Sequence, residues 1–148
     1  MNDIYKTVLL DHFHNPRNKG DLESMTIIKR GSNPRCGDDI EVGFKQERDG
    51  LITVRFRGRG CSICLASASM MSETLTGIGH QEAKVVTEQA LSWLCGLNDE
   101  QPMNKTLVAL EAVRNYPARV KCATLAWKAF ETALIENAQD NGQTGKPV

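Results

Sequence analysis

Apolar positions along the first stretch recur at helical spacing. Ile4, Val8 and Leu9 lie near one stripe, and Asp3 stands where an N-cap is needed, so a helix is predicted over residues 4–13. Asn15-Pro16-Arg17-Asn18 breaks it, and Gly20 marks a turn. The period then changes to two. Residues 26–29 form a short β-branched segment. Ile40, Val42 and Phe44 alternate with Glu41 and Lys45, and Ile52, Val54 and Phe56 alternate with Thr53, Arg55 and Arg57. Asp49-Gly50 between the last two runs is a hairpin signal. Three short strands joined in sequence predict an antiparallel sheet with one buried face.

From Ser62 onward the pattern is helical. Ile63, Leu65, Ala66, Met70 and Leu75 mark a helix over 62–75, ended by Gly77 and Gly79. Shorter helices are predicted over 84–94 and 106–113. After Pro117, Val120, Trp127, Phe130 and Leu134 form a stripe along a last helix. Residues 139–148 are polar and carry Gly142, Gly145 and Pro147, so a disordered tail is expected there. There is no internal repeat and no interdomain linker. Strands first and helices afterwards indicate the α+β class, in one domain over 1–138.

Composition removes several functions. The 148 residues carry 18 basic and 18 acidic side chains, and this neutral balance argues against a general nucleic-acid binder. Charged residues at 24% and hydrophobic residues at 41% fit a globular domain, one long enough to bury roughly two-thirds of its unfolded surface. No apolar run approaches the ~20 residues that span a bilayer, so no membrane partner is expected. The N-terminal residues lack the basic and apolar regions of a secretory signal, and a cytoplasmic setting is the expectation. Thiols stay reduced there. Five cysteines, an odd count, then point to ligands, nucleophiles or core residues and not to a disulfide framework.

Each thiol has its own context. Cys36 sits in the turn chemistry of Asn33-Pro34-Arg35-Cys36-Gly37-Asp38, where a loop thiol is reachable and Asp38 can add an oxygen; a half-buried loop thiol beside a turn-forming Asp is the plain alternative. Cys61 lies between the third strand and the long helix, flanked by Gly60, and a helix N-terminus stabilises a thiolate. Arg55, Arg57 and Arg59 share its strand parity, so their charges run toward it unless they form a solvated cationic face. Cys122 follows Lys121 early in the last helix and has the same helix-start environment, or is a core cysteine. Cys64 completes a C-x-x-C with Cys61, a spacing used by redox dithiols and by zinc sites. It reads more simply as an apolar first-turn residue, because no βαβ unit precedes it. Cys95 reads as apolar filler near a helix end. His12, His14 and His80 read as surface residues. Three thiolates and a carboxylate, from Cys36, Cys61, Cys122 and Asp38, make a tetrahedral donor set suited to zinc.

Four stretches carry a family resemblance: YKTVLLDHFHNPRNKG (5–20), NPRCGD (33–38), GRGCSICLASASMM (58–71) and RVKCATLAW (119–127). Together they resemble the iron–sulfur assembly proteins of the IscU/SufU type, the NifU N-terminal domain fold. The resemblance runs from about residue 3 to residue 137, and it implies a three-stranded sheet packed against about five to six helices. IscU-type scaffolds carry a His before the last cysteine, where this chain has Lys121. The interval from Cys61 to Cys122 is also longer here, by about a helical hairpin. Both features are similar to the SufU branch. That branch implies a zinc site of Cys36, Asp38, Cys61 and Cys122. It also implies acceptance of persulfide sulfur from a SufS-type cysteine desulfurase, delivery to downstream SUF machinery, and a partner-donated histidine that frees one thiolate. Cys36 is the expected acceptor, and Arg119 is placed to stabilise the persulfide or orient Asp38. Cys64 is not a family ligand.

Three rival readings remain at this level. One is a scaffold that builds a [2Fe–2S] cluster, or holds Fe²⁺, on Cys36, Cys61 and Cys122. Another is a zinc-stapled interaction module. The last is a dithiol redox protein using Cys61 and Cys64.

Overall fold

Strand alternation decides which face of the sheet is buried, and the helices follow from that. The computed structural model describes residues 2–102 and 104–144. Helix α1 (Asp3–His14) leads into strand β1 (Ile27–Asn33), a 3-10 turn (Pro34–Cys36), β2 (Asp38–Gln46) and β3 (Ile52–Arg59). Then come α2 (Ser62–Leu75), α3 (His80–Leu94), a 3-10 helix (Lys105–Asn115) and α4 (Pro117–Thr144). The fold is α+β: one antiparallel three-stranded sheet in the order β1-β2-β3, against six helical segments among the described residues. None of these helices is long and apolar enough to cross a membrane.

Ile40, Val42 and Phe44 of β2 and Ile52, Val54 and Phe56 of β3 are buried on one face. Phe44 meets Phe130 of α4 edge-on at 5.8 Å. Full burial of such side chains contributes about 1.5–3 kcal/mol each. Trp127, Phe130 and Leu134 of the expected stripe are buried. The helix continues past Gln139 to Thr144, into the stretch expected to be a tail, while residues 145–148 lie outside the described residues.

Helix α2 is the centre of the molecule, with an unbroken run from Cys64 to Ser72 buried. Its small residues permit this close approach from several sides. Ser67 Oγ donates to the Ala123 carbonyl of α4 at 2.6 Å. Ser69 Oγ accepts the Arg17 N–H at 2.8 Å, and Ser72 Oγ donates to the Arg17 carbonyl at 2.9 Å. These bonds hold the Asn15-Pro16-Arg17-Asn18 break against α2, and Asn18 and Gly20 then pair with Phe56 along β3.

Several expectations change. The cap of α1 is Asn2, whose side chain accepts the Ile4 N–H at 2.7 Å. Ile4 is 70% exposed, and the buried stripe is Leu9 with His12. His12 is therefore an interior residue, because Nδ1 finds Ser69 Oγ at 2.8 Å and burial costs it no hydrogen bond. His80, read as a surface residue, is the first residue of α3 and is half-buried. The segment after Asn104 is a 3-10 helix and not an α-helix. Its three-residue repeat aligns Leu107, Leu110 and Val113 in one buried row. Cys95 is exposed, contrary to its reading as core filler, since it falls one residue past the end of α3.

Candidate metal centre

Parity along β2 carries one polar residue inward. Ile40, Val42 and Phe44 face the core, so Asp38, at the start of the same strand, faces it too and is 1% exposed. The 3-10 turn before it ends at Cys36, and Gly37 (φ +70°) reverses the chain in the left-handed conformation that glycine adopts without strain. The register pairs Asn33 of β1 with Asp38. Beyond the end of β3, Cys61 caps the N-terminus of α2. The first turns of α4 bring Cys122, fully buried. Three separate chain segments thus meet at one end of the sheet.

The donor atoms of Cys36, Asp38 and Cys122 all lie within 4.8 Å of one another. Cys61 is not a member of that mutual set. It adjoins it: the Cys61 N–H donates to Asp38 Oδ1 at 2.8 Å, and its thiol is among the groups acting on Cys122. Asn33, which the sequence did not single out, donates from Nδ2 to Cys122 Sγ at 3.7 Å. Its role depends on cross-strand register, and no local motif reveals it.

The Cys61 thiol accepts the Cys64 N–H at 3.4 Å, as an N-cap side chain does. Burial pushes the Cys122 thiol far above its ordinary range, and Cys36, Asp38 and Cys61 push it further in the same direction. Cys64 is pushed up by burial first and then by Asp38, Cys61 and Cys36. Cys36 and Cys61 are half-buried.

The expected cations are arranged differently. Arg57 pairs with Glu41 at 2.9 Å, and Asp39 is held by Arg30 at 2.7 Å. Of the three arginines, Arg57 is thus paired on the outer sheet face, while Arg59 at the end of β3 is exposed. The Arg119 side chain is exposed and borders an apolar cavity of about 300 Å³ with Ile63, Ala112, Val113 and Tyr116. Among the described residues no ion pair joins it to Asp38.

One observation decides whether this donor set suits a metal. Asp38 Oδ2 is buried and has no hydrogen-bond partner among the described residues. A buried carboxylate oxygen left this way is costly unless it is paired or coordinates an ion. With thiols of Cys36 and Cys122 beside it, the group suits a thiophilic divalent ion that also accepts one hard oxygen.

The NifU-like N-terminal domain model matches residues 4–123. This chain belongs to that family. It is 35% identical over 142 residues to the zinc-dependent sulfurtransferase SufU of Bacillus subtilis, covering 95% of this chain and 96% of that protein. It is 37% identical over 132 residues to the iron–sulfur cluster assembly scaffold protein IscU of Thermotoga maritima, covering 88% and 92%. Among solved structures, a candidate SUF-system scaffold from Fervidobacterium islandicum matches with a TM-score of 0.79 at 32% identity. That match covers 89% of this chain and 97% of the other. The NifU-like domain of this chain therefore has relatives of both kinds, sulfurtransferase and scaffold.

Proposed function

We propose that this chain is a zinc-dependent sulfur acceptor. In this reading it takes persulfide sulfur from a SufS-type cysteine desulfurase and passes it to the SUF cluster-assembly machinery. It acts as a sulfurtransferase-like accessory protein in the cytoplasm and not as a stand-alone enzyme. The observation that carries the reading is the orphaned, buried Asp38 Oδ2 facing the thiols of Cys36 and Cys122. The similarity to the Bacillus protein over nearly the whole chain supports it.

Zinc would be held by Cys36, Asp38, Cys61 and Cys122, and when bound it keeps donor thiols deprotonated and protected from oxidation. The chain's own residues divide the remaining work. Asp38 fixes the Cys61 backbone through Oδ1 and keeps Oδ2 for the centre. Asn33 steadies Cys122. Cys36 sits half-buried on the turn between β1 and β2, the most reachable of the three clustered donors.

Cys36 is the acceptor. Its thiolate attacks the outer sulfur of the desulfurase persulfide, and a new S–S bond forms at Cys36. The old S–S bond breaks, and its electron pair leaves on the desulfurase cysteine as thiolate. The exchange involves no net oxidation. Arg119, exposed and three residues before Cys122 on α4, is assigned to stabilise the persulfide.

A second reading has its own support in the Thermotoga scaffold relative. There a [2Fe–2S] cluster is cargo, built on Cys36, Cys61 and Cys122. Metal and sulfide analysis of anaerobically purified protein separates the two. The relay predicts about one zinc per chain and faster desulfurase turnover. The scaffold predicts iron with acid-labile sulfide, and that result would displace the relay.

A further inference from the structure

We propose that the cavity between α3 and α4 binds a small amphipathic carboxylate. This site is separate from the thiol centre, since none of Cys36, Asp38, Cys61 and Cys122 lines it. The inference goes beyond the sulfur-relay reading and does not depend on it.

The cavity measures about 420 Å³, within the roughly 300–1,000 Å³ that small-molecule pockets occupy. Its two walls differ in chemistry. His80, Lys84 and Thr87 come from α3, at the i, i+4 and i+7 spacing that puts them on one helix face. Leu134, Ile135 and Ala138 come from α4 and form the apolar wall. Leu134 is buried, while Ile135 is 54% exposed, so a ligand here would cover an apolar side chain that now meets solvent.

The polar wall carries the signal. Thr87 is 1% exposed, and its Oγ1 has no hydrogen-bond partner among the described residues. Other helical threonines of this chain satisfy themselves: Thr74, Thr124 and Thr132 each donate to the carbonyl four residues back. Thr87 does not. His80 Nε2, at the start of α3, is also buried and has no partner among the described residues. A buried polar group in this state is costly, and two of them border one cavity. Waters need about 30 Å³ each. Two of them would satisfy both groups and leave most of the cavity, with its apolar wall, unfilled.

Charge sets the sign of the ligand. Lys84 stands between His80 and Thr87 on the α3 wall and forms no ion pair among the described residues. Gly79, the N-cap, supplies no side-chain hydrogen bond to the positive end of α3. Both features favour an anionic head, and a carboxylate accepts several hydrogen bonds at once. Glu88, one turn past Lys84, and Glu131 also line the cavity, and they disfavour a second negative charge. The ligand is therefore a monocarboxylate with an apolar body, its head on the α3 wall and its body on Leu134, Ile135 and Ala138.

Octanoate, 1-octanol and octylamine share one apolar body and differ in head group. Each is titrated into the full chain and followed by nuclear magnetic resonance. Octanoate should shift the signals of the cavity residues on α3 and α4, and should bind at least about tenfold more tightly than the other two. Equal binding of 1-octanol or octylamine would overturn the choice of ligand, and no binding by any of the three would leave the cavity to water and overturn the site. Two variants locate the head group. Thr87→Val should weaken octanoate about tenfold, yet leave the ligand-free protein as stable or more stable, because it deletes a hydroxyl that has nothing to bond. Lys84→Gln changes an exposed side chain and should weaken octanoate to a similar degree with the fold intact. Unchanged octanoate affinity in Lys84→Gln, or in a folded Thr87→Val, would overturn the proposal.

Discussion

Asp38 accepts the Cys61 backbone N–H through Oδ1 at 2.8 Å and leaves its second oxygen buried, with no hydrogen-bond partner among the described residues. One carboxylate thus joins the end of the sheet to the N-terminus of α2 and also faces two thiols. The two jobs are separable. Asp38→Asn keeps an oxygen for the Cys61 N–H but loses the carboxylate donor, while Asp38→Ala loses both. Both should weaken zinc binding at least tenfold. In metal-free protein Asp38→Ala should cost about 1–3 kcal/mol more than Asp38→Asn, the cost of stranding a buried donor. Denaturant melts with and without zinc check this. Equal metal-free stabilities would show that the bond to Cys61 contributes little.

Thiol reactivity follows burial. In metal-free protein, Cys95 should alkylate fastest, Cys36 and Cys61 more slowly, and Cys64 and Cys122 slowest. The last two are buried thiols pushed upward, so little thiolate is present to react. Zinc should protect Cys36, Cys61 and Cys122 and leave Cys95 unchanged. Time-resolved peptide mapping reads each site. Rapid labelling of Cys122 without metal would contradict the packing of α4 against the turn.

Two parts of this centre were readable in the sequence, for different reasons. Cys36, Asp38, Cys61 and Cys122 stand at loop and helix-start positions within local motifs, so their types and places were visible. The antiparallel order of the strands followed from alternation in Ile40–Phe44 and Ile52–Phe56. What depends on tertiary register was not visible. Asn33 meets Cys122 only because β1 pairs with β2 in one register. His12 looked like a surface residue because its partner Ser69 is 57 positions away. Cys95 looked apolar by type, yet α3 ends just before it.

His12 gives a pH test of the fold. Burial first, and then Arg17, lower its pKa below the ordinary 6.5, so the folded state keeps it neutral where the unfolded chain takes up a proton. The unfolded state binds more protons, and stability must fall as pH drops through 6.5 and below. The slope from one histidine is at most about 1.4 kcal/mol per pH unit. Melts of metal-free protein at pH 7.5 and 5.5 should show the loss. His12→Gln should be less stable at pH 7.5 and flatter between the two values. An unchanged slope in His12→Gln would assign the acid sensitivity elsewhere.

Removing the metal should loosen this protein without unfolding it. The core of α2, α4 and the sheet is built mostly of apolar side chains and takes in Cys122 alone of the four proposed ligands, unlike the small domains that zinc alone holds folded. Zinc at a thousandfold excess over its dissociation constant adds about 4 kcal/mol. Each kcal/mol moves the midpoint of a chain this size by about 2–4 °C. Calorimetry should therefore find a cooperative transition after chelation, shifted down by roughly 8–16 °C. Loss of the transition would make the centre the keystone of the fold; no shift would remove the metal from the account.

The central claim is that Cys36 receives sulfur, and peptide mass spectrometry tests it directly. Zinc-loaded protein is incubated with a SufS-type desulfurase and cysteine, then alkylated and digested. The Cys36 peptide should carry one added sulfur atom, and Cys36→Ser should carry none on any cysteine while still binding zinc. Sulfur found on Cys61 or Cys122, or acceptance by Cys36→Ser at the parent rate, would contradict the account.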